Sequence, residues 1–166
     1  MAMNRLKHLL NQPLRPLPTS LAVFLLVVAL LGLADASYLT LEHYQGVIPP
    51  CTVVSGCETV LTSAYSVVAG IPVSLLGAIY YLIILVGVFA FLESKKTVLL
   101  KWALVCTIAG MLFSLWFIYV QAFILGAWCL YCLGSAASST ILFVTACVVF
   151  KKYQVSEQFE VQSTKF

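Results

Sequence analysis

The sequence predicts an all-α membrane protein, a bundle of four transmembrane helices with a short extracytoplasmic loop helix. The first observation is composition: of the 166 residues, 62% are hydrophobic and only 9% are charged, and the mean hydropathy is +1.04. So few charges cannot cover the core of a soluble chain of this length. The second observation is that the charges are clustered, which leaves long uncharged stretches typical of membrane spans.

Four stretches are each long enough to cross a membrane. They run from about Ser20 to His43, Pro72 to Leu92, Val98 to Gln121 and Trp128 to Phe150. A helix needs ~20 apolar residues to cross a hydrocarbon core of ~30 Å. The first stretch is too long for a cleaved signal peptide, and no small-residue cleavage site and soluble domain follow it. We therefore interpret it as a retained helix.

The basic residues predict the orientation of the bundle. All nine lie before the first span, around the turn between the second and third, or after the fourth: Arg5, Lys7, Arg15, Lys95, Lys96, Lys101, Lys151, Lys152 and Lys165. None lies in the loop 44–71 or the turn 122–127. The positive-inside rule then places both termini in the cytoplasm and these two segments outside. Because the basic residues serve as topology anchors, the net charge of +3 indicates no nucleic-acid partner.

The predicted organisation has three parts. Residues 1–19 form a cytoplasmic N-terminal segment, residues 20–150 form the bundle with its outer loop at 44–71, and residues 151–166 form a cytoplasmic tail. The tail is short and polar, so we expect it to be poorly ordered.

The six cysteines are of two kinds. Cys106 and Cys147 lie inside spans and are interpreted as small hydrophobic residues. Cys51 and Cys57 fall in the outer loop, separated by five residues that include a glycine. This spacing allows the ~5.5 Å Cα separation of a disulfide if the segment turns back. The outer side is also the compartment in which disulfides persist.

Cys129 and Cys132 form a C-x-x-C at the start of the fourth span. A spacing of three places both on one helix face, and the unpaired N–H groups of a helix start stabilise a thiolate. The pair is therefore expected to be reactive. A structural staple is one alternative, although a bridge across so short a loop contributes little entropic stabilisation. A zinc site is another, although C-x5-C with C-x2-C is not a usual zinc spacing. Redox chemistry without a metal is the preferred interpretation.

Four motifs in order resemble the vitamin K epoxide reductase family. They are the outer C-x5-C, then G-C-E-x-x-L-x-S, then G-I-P-x-S-x-x-G opening a helix, and W-C-x-Y-C opening the last helix. The resemblance covers roughly residues 30 to 140 and is strongest to the bacterial, quinone-linked branch that forms disulfides. A rival family of four-helix proteins, which reoxidise periplasmic thiol oxidases, has the C-x-x-C first, so the cysteine order here argues against it.

The resemblance implies a catalytic bundle around a membrane quinone of the ubiquinone, menaquinone or vitamin K type. By the same resemblance, Cys51 and Cys57 exchange disulfides with a separate thioredoxin-like thiol oxidase on the extracytoplasmic side. Cys129 and Cys132 match the active-site pair beside the quinone. The implied localisation is the bacterial inner (plasma) membrane, with the protein as a multi-pass component of the lipid bilayer.

Ser63 matches a serine of the family that hydrogen-bonds the quinone or positions the site. We expect it on a short helix from Glu58 to Val67, facing the same pocket as Cys57. The alternative is an ordinary helix serine that bonds to its own backbone.

Three further residues are candidates for the quinone site. Asp35 lies ~12 Å below the outer end of the first span, and a carboxylate at that depth is a functional candidate. It either donates a proton as quinol forms or, while neutral, bonds to a neighbouring helix; the second interpretation is preferred because the family pattern does not single it out. Trp128 and Tyr131 are interface or packing residues that are also expected to line the pocket.

The predicted function is a membrane thiol–disulfide oxidoreductase that passes electrons from the partner through both cysteine pairs to the quinone. A first alternative is a reductase of vitamin K quinone or its epoxide, although an apolar region is expected around Val73 and Ala136, where animal relatives have polar residues. A second alternative is a disulfide-stapled membrane scaffold without turnover.

Overall fold

The protein is described by a computed structural model that covers the backbone of residues 19–51, 56–94 and 97–163, with side chains over 19–51, 56–93 and 102–149. This part of the chain contains five α-helices: α1 (Thr19–Gln45), α2 (Cys57–Leu61), α3 (Val73–Ser94), α4 (Thr97–Tyr119) and α5 (Leu130–Ser163). A two-stranded antiparallel ribbon, β1 (Val67–Val68) and β2 (Ile71–Pro72), precedes α3. A π-helix, Val120–Leu125, follows α4 directly.

Four helices are long and apolar enough to span a membrane, over Thr19–Gln45, Val73–Glu93, Trp102–Leu125 and Leu130–Val149. Their outward faces are apolar as well, with large side chains such as those of Leu31, Val86, Phe123 and Val148 at least half exposed. A helix that is hydrophobic all round belongs in lipid. The predicted fold class, a four-helix membrane bundle with a short loop helix, is confirmed.

The bundle is closed by α1 packing on α3 and α5, with α4 packing on α3 and α5. Small residues on α1, among them Ala22, Ala29 and Ala36, belong to the buried core. Gly32 on α1 is also buried, and a Cβ there would overlap the ring of Tyr81 on α3. Small residues let helices in a membrane approach closely, because apolar burial alone gives helices in lipid little reason to associate.

Hydroxyl groups tie α3 to α5 inside the bundle. The Tyr81 hydroxyl donates to the main-chain oxygen of Ser135 at 2.8 Å and lies 2.7 Å from Ser138 Oγ. The neighbouring Tyr80 hydroxyl lies 3.3 Å from Ser139 Oγ. Because hydrocarbon offers no partners for polar groups, these contacts satisfy the hydroxyls of the buried Tyr81 and the half-buried Tyr80, and they fix the pairing of α3 with α5.

The outer loop differs from the prediction of one helix from Glu58 to Val67. Helix α2 ends at Leu61, and Ser63 has extended backbone angles, φ −67° and ψ 157°. The Thr62 hydroxyl donates to the Glu58 carbonyl, and the Ser63 hydroxyl donates to the Val60 carbonyl, each at 2.7 Å. Such local bonds compete with a continuing helix. The prediction of a short loop helix is right, but its length was wrong.

A tight hairpin completes the outer loop after a single 3₁₀ turn at Ala64–Ser66. Val67 pairs with Pro72 and Val68 with Ile71. The two turn residues, Ala69 and Gly70, have φ of 53° and 82°. Positive φ at both central positions matches the right-handed twist of a two-residue hairpin, and glycine accepts it without strain.

The tail also differs from the prediction of poor order, because α5 continues as far as Ser163. Residues 153–163 contain no glycine or proline and several Glu and Gln residues, which are good helix formers. A helix already nucleated by a span propagates readily into such a sequence. The predicted N-terminal segment lies outside the described residues apart from Thr19, which opens α1.

We expect Gly32→Ala to destabilise the bundle by about 1–3 kcal/mol, the range for overpacking a close contact, because the added methyl group overlaps the Tyr81 ring. The measurement is denaturant unfolding in detergent micelles. Gly134→Ala is the matched control, since a Cβ there meets no atom within 4 Å. Equal stability of the two variants would contradict the close contact between α1 and α3.

Candidate redox site

The four outer cysteines lie in one cluster. Cys57, at the start of α2, is 1% exposed, and Cys129, immediately before α5, is 0% exposed; both pack with Val60. Cys51 and Cys132 are half-buried and pack against this cluster. The outer loop and the C-x-x-C, more than seventy residues apart in sequence, therefore share one packed sulfur-rich centre.

Cys51 and Cys57 form a disulfide, with their Cα atoms 6.1 Å apart. Cys129 and Cys132 are free thiols in the same structure. The remaining two cysteines lie elsewhere on spanning helices, Cys106 half-buried and Cys147 exposed on the surface of the bundle. We interpreted Cys147 as a small hydrophobic residue inside a span. It is exposed at the surface of the bundle, but on a helix that is apolar enough to span a membrane.

A close backbone contact holds the loop against the C-x-x-C. A Cβ at Gly56 would lie 2.6 Å from the main-chain nitrogen of Trp128 and 2.7 Å from its oxygen. Only a residue without a side chain permits this approach. Since Gly56 precedes Cys57 and Trp128 precedes Cys129, the contact brings the two buried sulfur atoms into the same cluster.

The C-x-x-C is arranged around the Cys129 sulfur. The Cys132 backbone N–H points toward Cys129 Sγ at 3.5 Å, and the Leu133 N–H donates to the Cys129 carbonyl at 3.0 Å as the first bond of α5. The hydrogen bond from the Cys132 side chain lowers the pKa of Cys129 from 9.0 to about 7, against the opposing effect of burial. The backbone N–H groups of Cys132 and Tyr131, at the helix start, lower the pKa of Cys129 further but by less than the Cys132 side chain does.

Gln121 is a residue that the sequence reasoning missed. It is 1% exposed and lies in the π-helix, with its Oε1 accepting the Cys129 N–H at 2.8 Å. Its Nε2 donates to the Phe117 carbonyl at 3.4 Å, and its own carbonyl accepts the Ala127 N–H at 3.2 Å. The available signal was a lone amide side chain at the outer end of an apolar span. Single π-turns in α-helices are frequent at functional sites.

A cavity of about 680 Å³ opens beside the cluster and is bounded by α1, α3, α4, α5 and the outer loop. Cys132 lines it, whereas Cys129 is packed behind Cys132 with Cys57. Apolar side chains such as Leu39, Phe113 and Phe117 form much of the wall. The two thiols of the C-x-x-C thus have different neighbours: one adjoins the loop disulfide, and the other adjoins the cavity.

The structure brings Ser63 and Asp35 to the cavity wall. The Ser63 hydroxyl donates to the Val60 carbonyl, as in the backbone-bonding alternative, but its oxygen remains on the wall as an acceptor. Asp35 Oδ2 is buried and has no hydrogen-bond partner in the described part of the chain. This oxygen therefore does not make the bond to a neighbouring helix that we preferred from the sequence.

The structure does not bring Trp128 and Tyr131 to the cavity wall. The Trp128 side chain is 39% exposed. The Tyr131 ring packs against Tyr38 with centroids 5.7 Å apart, and its hydroxyl donates to the Pro50 carbonyl at 3.2 Å. These contacts fit the packing role, in which Tyr131 braces the segment that carries Cys51.

The wall near Val73 and Ala136 is more polar than expected. Both residues line the cavity, but so do Ser74, Ser135 and Ser139. Within the described residues, no group of three or more His, Cys, Asp or Glu side chains is arranged to hold a metal ion. The polar side chains of the cavity wall carry hydroxyl, carboxyl, thiol, amide and imidazole groups, all of which can form hydrogen bonds.

Comparison with protein families identifies the chain. The model of the vitamin K epoxide reductase family matches residues 23–147, which is most of the sequence and includes all four clustered cysteines. The chain belongs to the vitamin K epoxide reductase family. The resemblance predicted from the motifs is therefore confirmed at the level of the family. No curated protein gives a significant match.

Membership makes this vitamin K epoxide reductase family protein a membrane oxidoreductase. The family consists of membrane enzymes that combine disulfide chemistry with quinones and work with thiol partners. The cavity has the character of a small-molecule site, because its volume lies within the ~300–1,000 Å³ range of such sites and its walls are mainly apolar with a few polar groups.

We expect Gln121→Met to lower the free energy of unfolding by about 1–3 kcal/mol, because the buried Cys129 N–H loses its acceptor. The same change slows disulfide exchange into Cys129, since its backbone is no longer fixed. Rapid-quench alkylation of thiols measures the exchange. Thr107→Val, which removes a buried hydroxyl elsewhere on α4, is the control for stability alone. A wild-type exchange rate in Gln121→Met would contradict the positioning role.

The lowered pKa of Cys129 predicts the pH dependence of thiolate formation. In reduced protein, ultraviolet thiolate absorbance should appear with a midpoint near pH 7, because the thiolate is the form favoured above a depressed pKa. Cys129→Ser should remove this transition. Cys132→Ala should move the midpoint up toward 9.0, since the hydrogen bond to Cys129 is lost. A midpoint near 9.0 in the unmodified protein would rule out the stabilised thiolate.

Proposed function

We propose that the protein is a thiol–disulfide oxidoreductase that passes electrons from a reduced thioredoxin-like partner to a membrane quinone and so supports disulfide formation. The observation that carries the proposal is the arrangement of the four cysteines. Cys51 is half-buried on the outer loop, Cys57 and Cys129 are buried together, and Cys132 lines the cavity. This order gives electrons a path from the loop to the cavity.

The first exchange takes place at Cys51. A partner thiolate attacks its sulfur, the Cys51–Cys57 bond breaks, and Cys57 leaves as a thiolate. The second thiol of the partner then resolves the mixed disulfide and releases the oxidised partner. Two electrons have now entered the loop pair. Attack at Cys51 is favoured over attack at Cys57 because Cys57 is only 1% exposed.

The second exchange takes place between the buried sulfur atoms. When Cys129 and Cys132 are joined, the Cys57 thiolate attacks Cys129 and Cys132 leaves as a thiolate beside the cavity. Cys51 then attacks Cys57, which restores the loop disulfide and frees Cys129. After this transfer the loop pair is again a disulfide, and Cys129 and Cys132 are both reduced.

The Cys129–Cys132 dithiol then gives two electrons to the quinone and closes to a disulfide, and two protons accompany the electrons to form quinol. The residues available to hold a quinone are those of the wall. Leu39, Phe113 and Phe117 offer apolar surface for the ring and its tail. Ser63 and Ser139 offer hydroxyl groups for its oxygens, and Cys132 offers the reacting sulfur.

A reductase of vitamin K quinone or its epoxide is the second candidate function. The observation that favours it is the presence of Ser74, Ser135 and Ser139 on the wall beside Val73 and Ala136. These hydroxyl groups supply hydrogen bonds where we expected an apolar surface. Product analysis with an epoxide substrate separates the two functions, because only the second yields the quinone from the epoxide.

The proposed setting is the bacterial plasma membrane, with both termini in the cytoplasm. The support for this orientation is the distribution of Lys and Arg in the sequence, which spares the two segments that carry the paired cysteines. The partner is then a separate protein on the extracytoplasmic side, where disulfides persist.

The proposal predicts quinone reduction by purified protein in detergent when a dithiol is the donor. Quinone absorbance should fall with wild type and stay constant with Cys132→Ala, because the sulfur beside the cavity is missing. Cys51→Ala should lose activity chiefly with a thioredoxin-like protein donor, which cannot reach Cys57. Cys147→Ala is the matched control, because Cys147 is exposed on the surface of the bundle, away from the four clustered cysteines. Absence of turnover in folded wild type with both ubiquinone and menaquinone analogues would instead favour the stapled scaffold.

A further inference from the structure

Two carboxyl groups on α1 reach the cavity. Asp35 and Glu42 both line it, and they are the only acidic residues of this largely apolar helix. Seven residues separate them, which is about two helical turns and ~10 Å along the axis, so they project from the same side of α1. Glu42 is the nearer of the two to the outer end of the helix at Gln45.

Neither carboxyl group is fully used by the fold. Asp35 Oδ2 and Glu42 Oε2 are both buried, and neither has a hydrogen-bond partner in the described part of the chain. Buried polar atoms without partners are rare and costly, so each calls for an explanation. A ligand in the cavity, or a proton exchanged with it, would give these two oxygens the partner that the protein does not supply.

Asp35 also shares the cavity with one thiol of the redox pair. Cys132 and Asp35 line the same cavity from α5 and α1. A molecule that accepts electrons from Cys132 would therefore lie within the neighbourhood of the Asp35 carboxyl group.

The other titratable groups on the wall have different roles. They are His43 on α1, Tyr80 and Tyr81 on α3, and Cys132 on α5. The tyrosine hydroxyls are engaged with Ser135, Ser138 and Ser139, and His43 lies on the exposed outer end of α1. The residues that α4 and the outer loop contribute to the wall include no titratable side chain.

We propose that Asp35 is the general acid that protonates the quinone, and that Glu42 returns the proton from the outer side. The inference rests on the proposed quinone reduction. The pair holds one thiol and the Cys132 thiolate, and it gives two electrons to the quinone as it closes to a disulfide. The proton of the remaining thiol goes to one quinone oxygen, and Asp35 delivers the second proton to the other oxygen. The Asp35 carboxylate then recovers a proton from water on the outer side through Glu42.

The test is a single turnover of pre-reduced protein with a ubiquinone or menaquinone analogue. Quinol formation is followed by absorbance, and transfer from the loop pair to Cys129 is followed by thiol alkylation. Asp35→Asn keeps the shape of the side chain but removes the proton, and should slow quinol formation about 100-fold or more, as expected for loss of general acid catalysis. Glu42→Gln should slow it less. Glu93→Gln, an exposed carboxyl at the far end of α3, is the matched control.

A second pair of variants separates proton donation from a structural role. Asp35→Glu retains the carboxyl group and should keep at least a tenth of the wild-type rate. Asp35→Ala should recover activity when acetic acid is added, because a small acid can enter the cavity and donate in place of the side chain. A structural role predicts no rescue by acid. Melting temperatures of all variants, and unchanged transfer from the loop pair, report whether the fold is intact.

The outcomes distinguish the inference from the function on which it rests. If wild type reduces no quinone, the proposed function fails and Asp35 has no reaction to serve. If wild type reduces quinone and Asp35→Asn matches it, the function stands and the inference is overturned. The inference is also overturned if Asp35→Asn is slow, acetic acid does not rescue Asp35→Ala, and Asp35→Glu is inactive. A slow Asn variant with acid rescue supports it.

Discussion

The hydrogen bond from the Cys129 N–H to Gln121 Oε1 is the contact on which the rest of the site depends. In a bilayer every backbone polar group needs a partner, and the turn between α4 and α5 leaves several exposed. A π-helix brings the buried Gln121 to this turn, where its side chain accepts the Cys129 N–H and its carbonyl accepts the N–H groups of Gly126 and Ala127. The turn fixed in this way presents the backbone of Trp128, against which Gly56 packs. One amide side chain thus places both the C-x-x-C and, through Gly56, the loop disulfide.

The polar groups in this bundle form two sets, one that joins helices by hydrogen bonds and one that lines the cavity without such bonds. The hydroxyl groups of Tyr80 and Tyr81 are bonded to serines on α5 and join two spanning helices. Asp35 Oδ2 and Glu42 Oε2 have no such partner in the described part of the chain, and both residues line the cavity. A membrane protein of this size carries few polar side chains within its spans, since each is costly in lipid. Those without structural bonds are therefore the best guides to the chemistry of the cavity.

The sequence predicted the four spans and the two cysteine pairs because both depend on patterns that are local and strong. Its predictions failed where a single side chain chooses between two local bonds. The hydroxyl groups of Thr62 and Ser63 bond to the backbone and end α2. Helix propensity alone could not predict this end, because the neighbouring residues are compatible with a helix. Gln121 looked like the polar end of a span, since its partner, the Cys129 N–H, is known only once α4 and α5 are folded. The unbonded oxygen of Asp35 likewise depends on what neighbouring helices fail to offer.

The contact of Gly56 with Trp128 has a consequence for selectivity between electron donors. It keeps Cys57 and Cys129 sealed between an outer sulfur and a sulfur at the cavity. A donor protein that docks at Cys51 is therefore kept from Cys132, and a molecule in the cavity is kept from the Cys51–Cys57 disulfide. The contact between Gly56 and Trp128 thus separates the outer loop disulfide from the cavity. In the proposed relay, a looser contact would let the electron donor and the electron acceptor react without passing through Cys57 and Cys129.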